Sequence, residues 1–231
     1  LAPTFYVFFK QLILGNRVMK RLAVITGGAS GIGKATALKF AENNCHVIVV
    51  DQNAALANDL MKEFEANGLV GEFYECDVTN PTAVDRTFDA IADCYRNLDY
   101  AVNAVGGGIA EARGTLEDIE YKQWQREVDL NLSSTVLCMR REIKMMMGEQ
   151  RSSIVNISSI AGLGAAGSNP AYTAAKHALI GLSRQSAMEC APNLIRVNTV
   201  CPGVVLTPLL VDSFGENNEF LEQMGKTNML G

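Results

Sequence analysis

A short apolar run, Leu22-Ala-Val-Ile-Thr26, passes straight into Thr26-Gly-Gly-Ala-Ser-Gly-Ile-Gly33 and then into a helical pattern from Ile32 to Asn43. Few architectures use a buried strand that turns directly into a helix through glycines. The alternation then repeats. Strands are expected at His46–Val50, Gly71–Cys76, Asp99–Val102, Ser153–Ser158 and Ile195–Val200. Between them the apolar spacing predicts helices over 53–67, 81–96, 116–129, 130–148 and 170–191, with Gly68 closing one and Pro81 opening another.

Strand and helix alternating at these lengths give a parallel sheet with helices on both faces. The fold class is therefore α/β, a doubly wound Rossmann-like parallel sheet. At 231 residues, one domain is expected rather than two. It divides into a cofactor half, 19–110, and a catalytic and substrate half, 111–231. Residues 1–18 are strongly apolar around Phe5–Phe9 and Leu12–Leu14, yet Lys10 and Gln11 break the run and it is too short to span a bilayer. It lacks the basic start and cleavage site of a secretory signal. With Met19 standing before the first strand, 1–18 is read as an extension outside the fold.

Composition removes several functions. Apolar residues at 48% suit a chain with a core, and Lys and Arg are too scattered, at a net charge of −5, for a nucleic-acid or anionic-membrane surface. Cys45, Cys76, Cys94, Cys138, Cys190 and Cys201 lie far apart without a C-x-x-C pair, which reads as reduced, buried thiols of a cytoplasmic protein. His46 and His177 are the only histidines, too few for a Ser-His-Asp hydrolase or a zinc centre. No metal is expected.

The glycine turn fits phosphate, because glycine lets the backbone approach closely and leaves helix N–H groups pointing at the anion. Asp51 closes the second strand about 20 residues further on, where a carboxylate can accept both ribose hydroxyls and repel a 2′-phosphate. Ser30 and Gln52, beside these positions, supply no arginine clamp. The expected cofactor is NAD(H), preferred over NADP(H). Downstream, Tyr172 and Lys176 share one helix face, and the small-residue loop after the fifth strand can bring Ser159 beside Tyr172.

Taken in order, TGGASGIG at 26–33, Asp51, Asp77-Val78, Asn103-Ala-Val-Gly106, Asn131 in Val-Asp-Leu-Asn-Leu, Ser159 and Tyr172-Thr-Ala-Ala-Lys176 resemble the short-chain dehydrogenase/reductase family over about residues 20–210. Pro202-Gly203 and Thr207 extend the match. The resemblance implies a secondary alcohol/ketone oxidoreductase. In it Tyr172 exchanges the proton at the carbinol oxygen, Ser159 hydrogen-bonds that oxygen, and Lys176 holds the nicotinamide ribose and favours the tyrosinate. Asn131 would position water in a proton path to Lys176. Gly27, Ser30, Gly31, Ile32 and Gly33 would take the phosphates, Asp77 and Val78 the adenine, Asn103 and Gly106 the adenine ribose, and Thr207 would reach the nicotinamide end, with Pro202 and Gly203 also binding the cofactor. A close cation lowers an acid's pKa by roughly 1–3 units, so Lys176 should bring Tyr172 down from about 10.

The resemblance also implies pairing of helices 130–148 and 170–191 between subunits, in a homodimer or homotetramer. Its last helix and edge strand are expected to be missing beyond Gly231. Apolar residues from Leu209 to Met224 fit either a lid over a hydrophobic, cyclic substrate or a helix packed on the core. Two alternatives stay open: a 3-oxoacyl carrier-protein reductase, against which Asp51 counts, and a catalytically silent NAD-binding regulator or scaffold. If 1–18 lies outside the fold, a chain starting at Met19 is expected to keep its cofactor affinity and melting temperature, both measurable by titration and calorimetry.

Overall fold

A computed structural model of the chain describes residues 20–109, 112–148, 151–165 and 169–208. The expectations for 1–18 and for the segment from Leu209 onward lie outside the described residues. Strand β1 (Leu22–Thr26) leads to helix α1 (Gly31–Glu42), β2 (His46–Asp51), α2 (Ala54–Ala66), β3 (Gly71–Glu75) and α3 (Pro81–Cys94). Then follow β4 (Tyr100–Asn103), α4 (Tyr121–Val128), α5 (Ser134–Met146), β5 (Ser152–Ile157), α6 (Pro170–Cys190) and β6 (Ile195–Val200). Their ends are chemically marked. Asn53 and Asn80 accept the Leu56 and Ala83 N–H groups at the starts of α2 and α3, and Pro81 needs no partner in the first turn.

The six strands are all parallel, in the order β3-β2-β1-β4-β5-β6. The direction of growth of the sheet reverses between β1 and β4. Both faces of the central strands β1 and β2 are covered, so these read as apolar runs, whereas the edge strand β6 alternates buried and exposed residues. On one face Ala23, Ile25, Val47 and Val49 pack against Ala37, Leu60 and Phe64 of α1 and α2. On the other, Val24, Ile48, Val50 and Ile154 meet Phe88 and Ile91 of α3 and Cys138, Met139 and Met146 of α5.

The two helices expected over 116–129 and 130–148 are one rod. Tyr121–Val128 and Ser134–Met146 are joined by a π-helical turn, Asp129–Ser133, which carries Asn131 in its buried middle. Such wide turns hold one residue more than the α-helix needs and cluster at functional sites. The cysteine expectation holds for Cys45, Cys76, Cys138 and Cys190 but not for Cys94, which is exposed, nor Cys201, which is half-buried. None of the described helices is long and apolar enough to cross a membrane.

Phe88 is fully buried in the centre of the larger core. Phe88→Ala is expected to lower the unfolding free energy by about 3–5 kcal/mol, seen as a lower urea midpoint with an unchanged slope.

Candidate active site

Where the strand order reverses, the carboxyl ends of β1 and β4 diverge and leave a crevice, the place where ligands of open α/β sheets sit. A cavity of about 620 Å3 lies there, lined by Gly27, Ser30, Gly31, Ile32, Gly33, Asp51, Asp77, Val78, Gly106 and Thr207 among others. The glycine turn is shaped by close packing. A Cβ on Gly33 would stand 2.0 Å from the Gly27 carbonyl oxygen, and Gly27 itself is left-handed at φ +67°. Ser30 caps α1 without a side-chain bond, so the first N–H groups of the helix are left for an anion. This cradle fits a dinucleotide's phosphates.

Asp51 has two tasks at once. Its Oδ2 accepts the Ala29 N–H at 3.0 Å and its Oδ1 accepts the Asn53 N–H at 2.9 Å. It therefore ties the glycine turn to the end of β2 while each oxygen keeps a lone pair for a ribose hydroxyl. Asp77 Oδ1 accepts from the Thr79 N–H and hydroxyl at 2.9 and 2.7 Å, which fixes the loop presenting Val78.

Asn103, expected beside the adenine ribose, turns its side chain into the sheet. It accepts from Thr26 Oγ1 at 3.2 Å and donates at 3.0 Å to both Glu142 Oε2 and Asn156 Oδ1. It thus joins β1, β4, β5 and α5 behind the cleft. Glu142, wholly buried there, has its carboxyl pushed up to about 8 by burial. The Pro202 carbonyl accepts the Ile160 N–H at 2.9 Å, tying the loop after β6 to the loop after β5.

On the catalytic side, Asn169 caps α6 by accepting the Tyr172 N–H at 2.9 Å. Ser159 opens the loop after β5, its Oγ accepting the Ala161 N–H at 3.1 Å. Lys176 is buried one turn along α6; its Nζ donates to the Ile157 carbonyl at 3.0 Å and stands 5.6 Å from the Tyr172 ring centre. Asn131 grips the loop after β4 from both sides. Its Oδ1 accepts the Gly107 N–H and its Nδ2 donates to the Gly107 carbonyl, each at 2.9 Å. The structure thus brings Tyr172, Lys176 and Asn131 together with Ser159 near them, and Asn131 and Lys176 meet the cavity wall at Gly106.

The electrostatics differ from expectation. Without cofactor, Tyr172 is pushed above the ordinary tyrosine range, chiefly by burial, with Ser159 pulling it down and Glu127 pushing it up. The expected lowering by Lys176 is not among these influences. Lys176 itself is brought down to about 8, because burial disfavours its ammonium more than Glu127 and Cys201 support it. Glu127, absent from the expected site, is fully buried and accepts hydrogen bonds from Ile109 N–H and Asn131 Nδ2. Nothing in its sequence surroundings marked it out, since Arg126 and Asp129 make it look like one more charge on a solvated helix.

With this geometry in place, likeness to other proteins can be weighed. Residues 21–218 match the family model described as short chain dehydrogenase. A 3beta-hydroxysteroid dehydrogenase of Mediterraneibacter gnavus is 38% identical over 201 residues, covering 87% of this chain and 71% of that protein. A cyclohexanol dehydrogenase of an Acinetobacter species is 32% identical over 202 residues, covering 87% and 80% of the two chains. A short-chain type dehydrogenase/reductase from Mycobacterium ulcerans superposes with a TM-score of 0.78 at 30% identity, covering 83% of this chain and 70% of that one. This protein belongs to the short-chain dehydrogenase family and is an oxidoreductase of CH–OH groups.

Proposed function

We propose that the protein interconverts a secondary, ring-borne alcohol and its ketone, using NAD(H) in preference to NADP(H), with Tyr172 as acid and base. The observation that carries this reading is buried Lys176, 5.6 Å from the Tyr172 ring and closing with Asn131 on Gly106, a residue of the cavity wall, with Ser159 as the neighbour that pulls Tyr172 down. Ile109 and Leu130 give that end of the cavity an apolar wall, in keeping with relatives named for a hydroxysteroid and for cyclohexanol. A bound nicotinamide supplies the hydride acceptor or donor.

The chain's residues handle the proton and the oxygen. In oxidation the Tyr172 oxygen takes the hydroxyl proton of the alcohol, while Ser159 Oγ holds the same oxygen in line. In reduction the phenol returns that proton to the developing alkoxide. Lys176 Nζ is held by the Ile157 carbonyl with donors to spare for ribose hydroxyls. Asn131, by clamping Gly107, keeps the loop after β4 clear of the site. At the other end, Gln52, Ser30 and Asp77 surround Asp51 without a cation, whereas Arg126 lines the cavity from α4. A carrier-protein reductase using NADPH would need such a cation there. Exposed Val136 on α5 and Met188 on α6 fit the pairing of these helices in a homodimer.

Asp51 should make catalytic efficiency higher with NADH than with NADPH, and Asp51→Ala should narrow the gap. Equal or better use of NADPH by the unaltered protein would overturn the preference. Tyr172→Phe is expected to keep cofactor affinity while turnover falls at least about 10²-fold; near-normal turnover would move the proton carrier elsewhere. Because oxidation needs the phenolate and reduction the phenol, oxidation should rise and reduction fall as pH increases through the same group. Burial holds Tyr172 high in the free protein. The cation of the oxidised cofactor should therefore lower its titration, seen as a tyrosinate absorbance present in the complex and lost in Tyr172→Phe.

A further inference from the structure

Helix α4 presents mostly polar side chains to solvent, yet the residue it buries completely is Glu127. Burying a carboxylate is costly unless donors or an opposite charge meet it. The groups around Glu127 are one-sided. The Ile109 N–H donates to Oε2 at 2.9 Å and Asn131 Nδ2 donates to Oε1 at 3.3 Å, while the Asn169 carboxamide stands near with its buried Nδ2 unpartnered. Both bonds are donated to the carboxylate, which suits an ionised, acceptor-only group.

The charges that face it are Lys176 from α6 and Arg113 from the loop after β4, with the Tyr172 hydroxyl as the other titratable neighbour. Lys176 in turn faces Glu127 and Cys201. Asn131 links the pair. Its Nδ2 touches Glu127, while its Oδ1 and the Lys176 Nζ close on Gly106 together, each 2.8 Å from the point a Cβ would occupy.

We propose that Glu127 is a positioning residue whose buried carboxylate keeps the Lys176 ammonium charged and orients the Asn131 amide beside it. The proposal rests on the reading of Tyr172 and Lys176 given above. Glu127 has no exposed surface and no bond to Tyr172, so it acts through its field on Lys176 and not by carrying the substrate proton. The signs set its role. A negative charge opposes the tyrosinate directly, so its benefit comes through Lys176, for which burial is the dominant adverse influence and Glu127 the leading favourable one.

The test is a 13C NMR titration of the cofactor-free chain labelled at the lysine ε-carbons, with Lys176 assigned by its loss in Lys176→Arg. In Glu127→Gln the Lys176 titration is expected to move about 1–3 pH units to the acid side, the range for removing one close opposite charge. Glu127→Asp, which withdraws the charge by one methylene, should move it the same way by less, and decides the matter alone if the amide variant does not fold. NADH affinity, followed by fluorescence, should weaken at correspondingly lower pH. A merely structural role would lower the melting temperature and leave the Lys176 titration in place. An unmoved titration in the folded variant overturns the proposal. Since no turnover is needed, a failed acid/base reading, seen in Tyr172→Phe, remains a separate outcome.

Discussion

Helix α6 is fastened to strand β5 by buried hydrogen bonds on both sides of the interface. Asn156 Nδ2 donates to Ser183 Oγ at 2.9 Å, Ser158 Oγ donates to the Lys176 carbonyl at 2.9 Å, and Lys176 Nζ returns a bond to the Ile157 carbonyl. The strand is in turn held in register by β4 and β6. The height of Tyr172 above the sheet, and its reach to Ser159 at the end of the same strand, follow from this attachment. Gly162 completes it, since a Cβ there would meet the Lys176 carbonyl and Ser158 Oγ at 2.7 Å. The chemistry therefore sits on a rigid joint, while the loops that border the cleft are held by separate contacts.

The two halves of the site are built by different physics. The cofactor side is backbone geometry: left-handed glycine, a helix start without a side-chain cap, and a carboxylate that braces the turn it also serves. The proton side is burial: a phenol pushed up, an ammonium pushed down, and a carboxylate among donors. Loss of water brings the ammonium and the carboxylate toward neutrality and takes the phenol further from it, so the three shifts do not have one direction.

Much of this was legible in the chain because the decisive signals are local. Leu22–Thr26 followed by glycine, Asp51 at a strand end, and a tyrosine four residues before a lysine each declare themselves over short spans. The architecture follows from alternating runs buried on both sheet faces. What escaped is non-local. Glu127 is a buried charge on a polar helix, the reverse of the usual rule, and only the packing of α4 against α6 turns it inward. Asn103 lies in the right motif, but the pleat turns its side chain towards Glu142 and Asn156. The state of Tyr172 depends on burial, which no spacing reports. The rod from Tyr121 to Met146 reads as two helices because the wide turn at Asp129–Ser133 disturbs the apolar period.

That wide turn has a bearing on how the chain can change. Insertions and deletions are usually absorbed by loops, but here the odd residue is stored inside a helix. Removing one residue from Asp129–Ser133 would leave an ordinary α-helix, locally more regular than before. Because the turn already holds the residue an α-helix does not need, the segment after it would keep its phase, leaving Cys138, Met139 and Met146 in the core and Glu142 beside Asn103. The change would be local: Asn131, in the middle of the turn, would lose the widened backbone that aims its amide at Gly107 and Glu127. The irregularity is thus a device for aiming one side chain, set into a rod whose two ends do not depend on it.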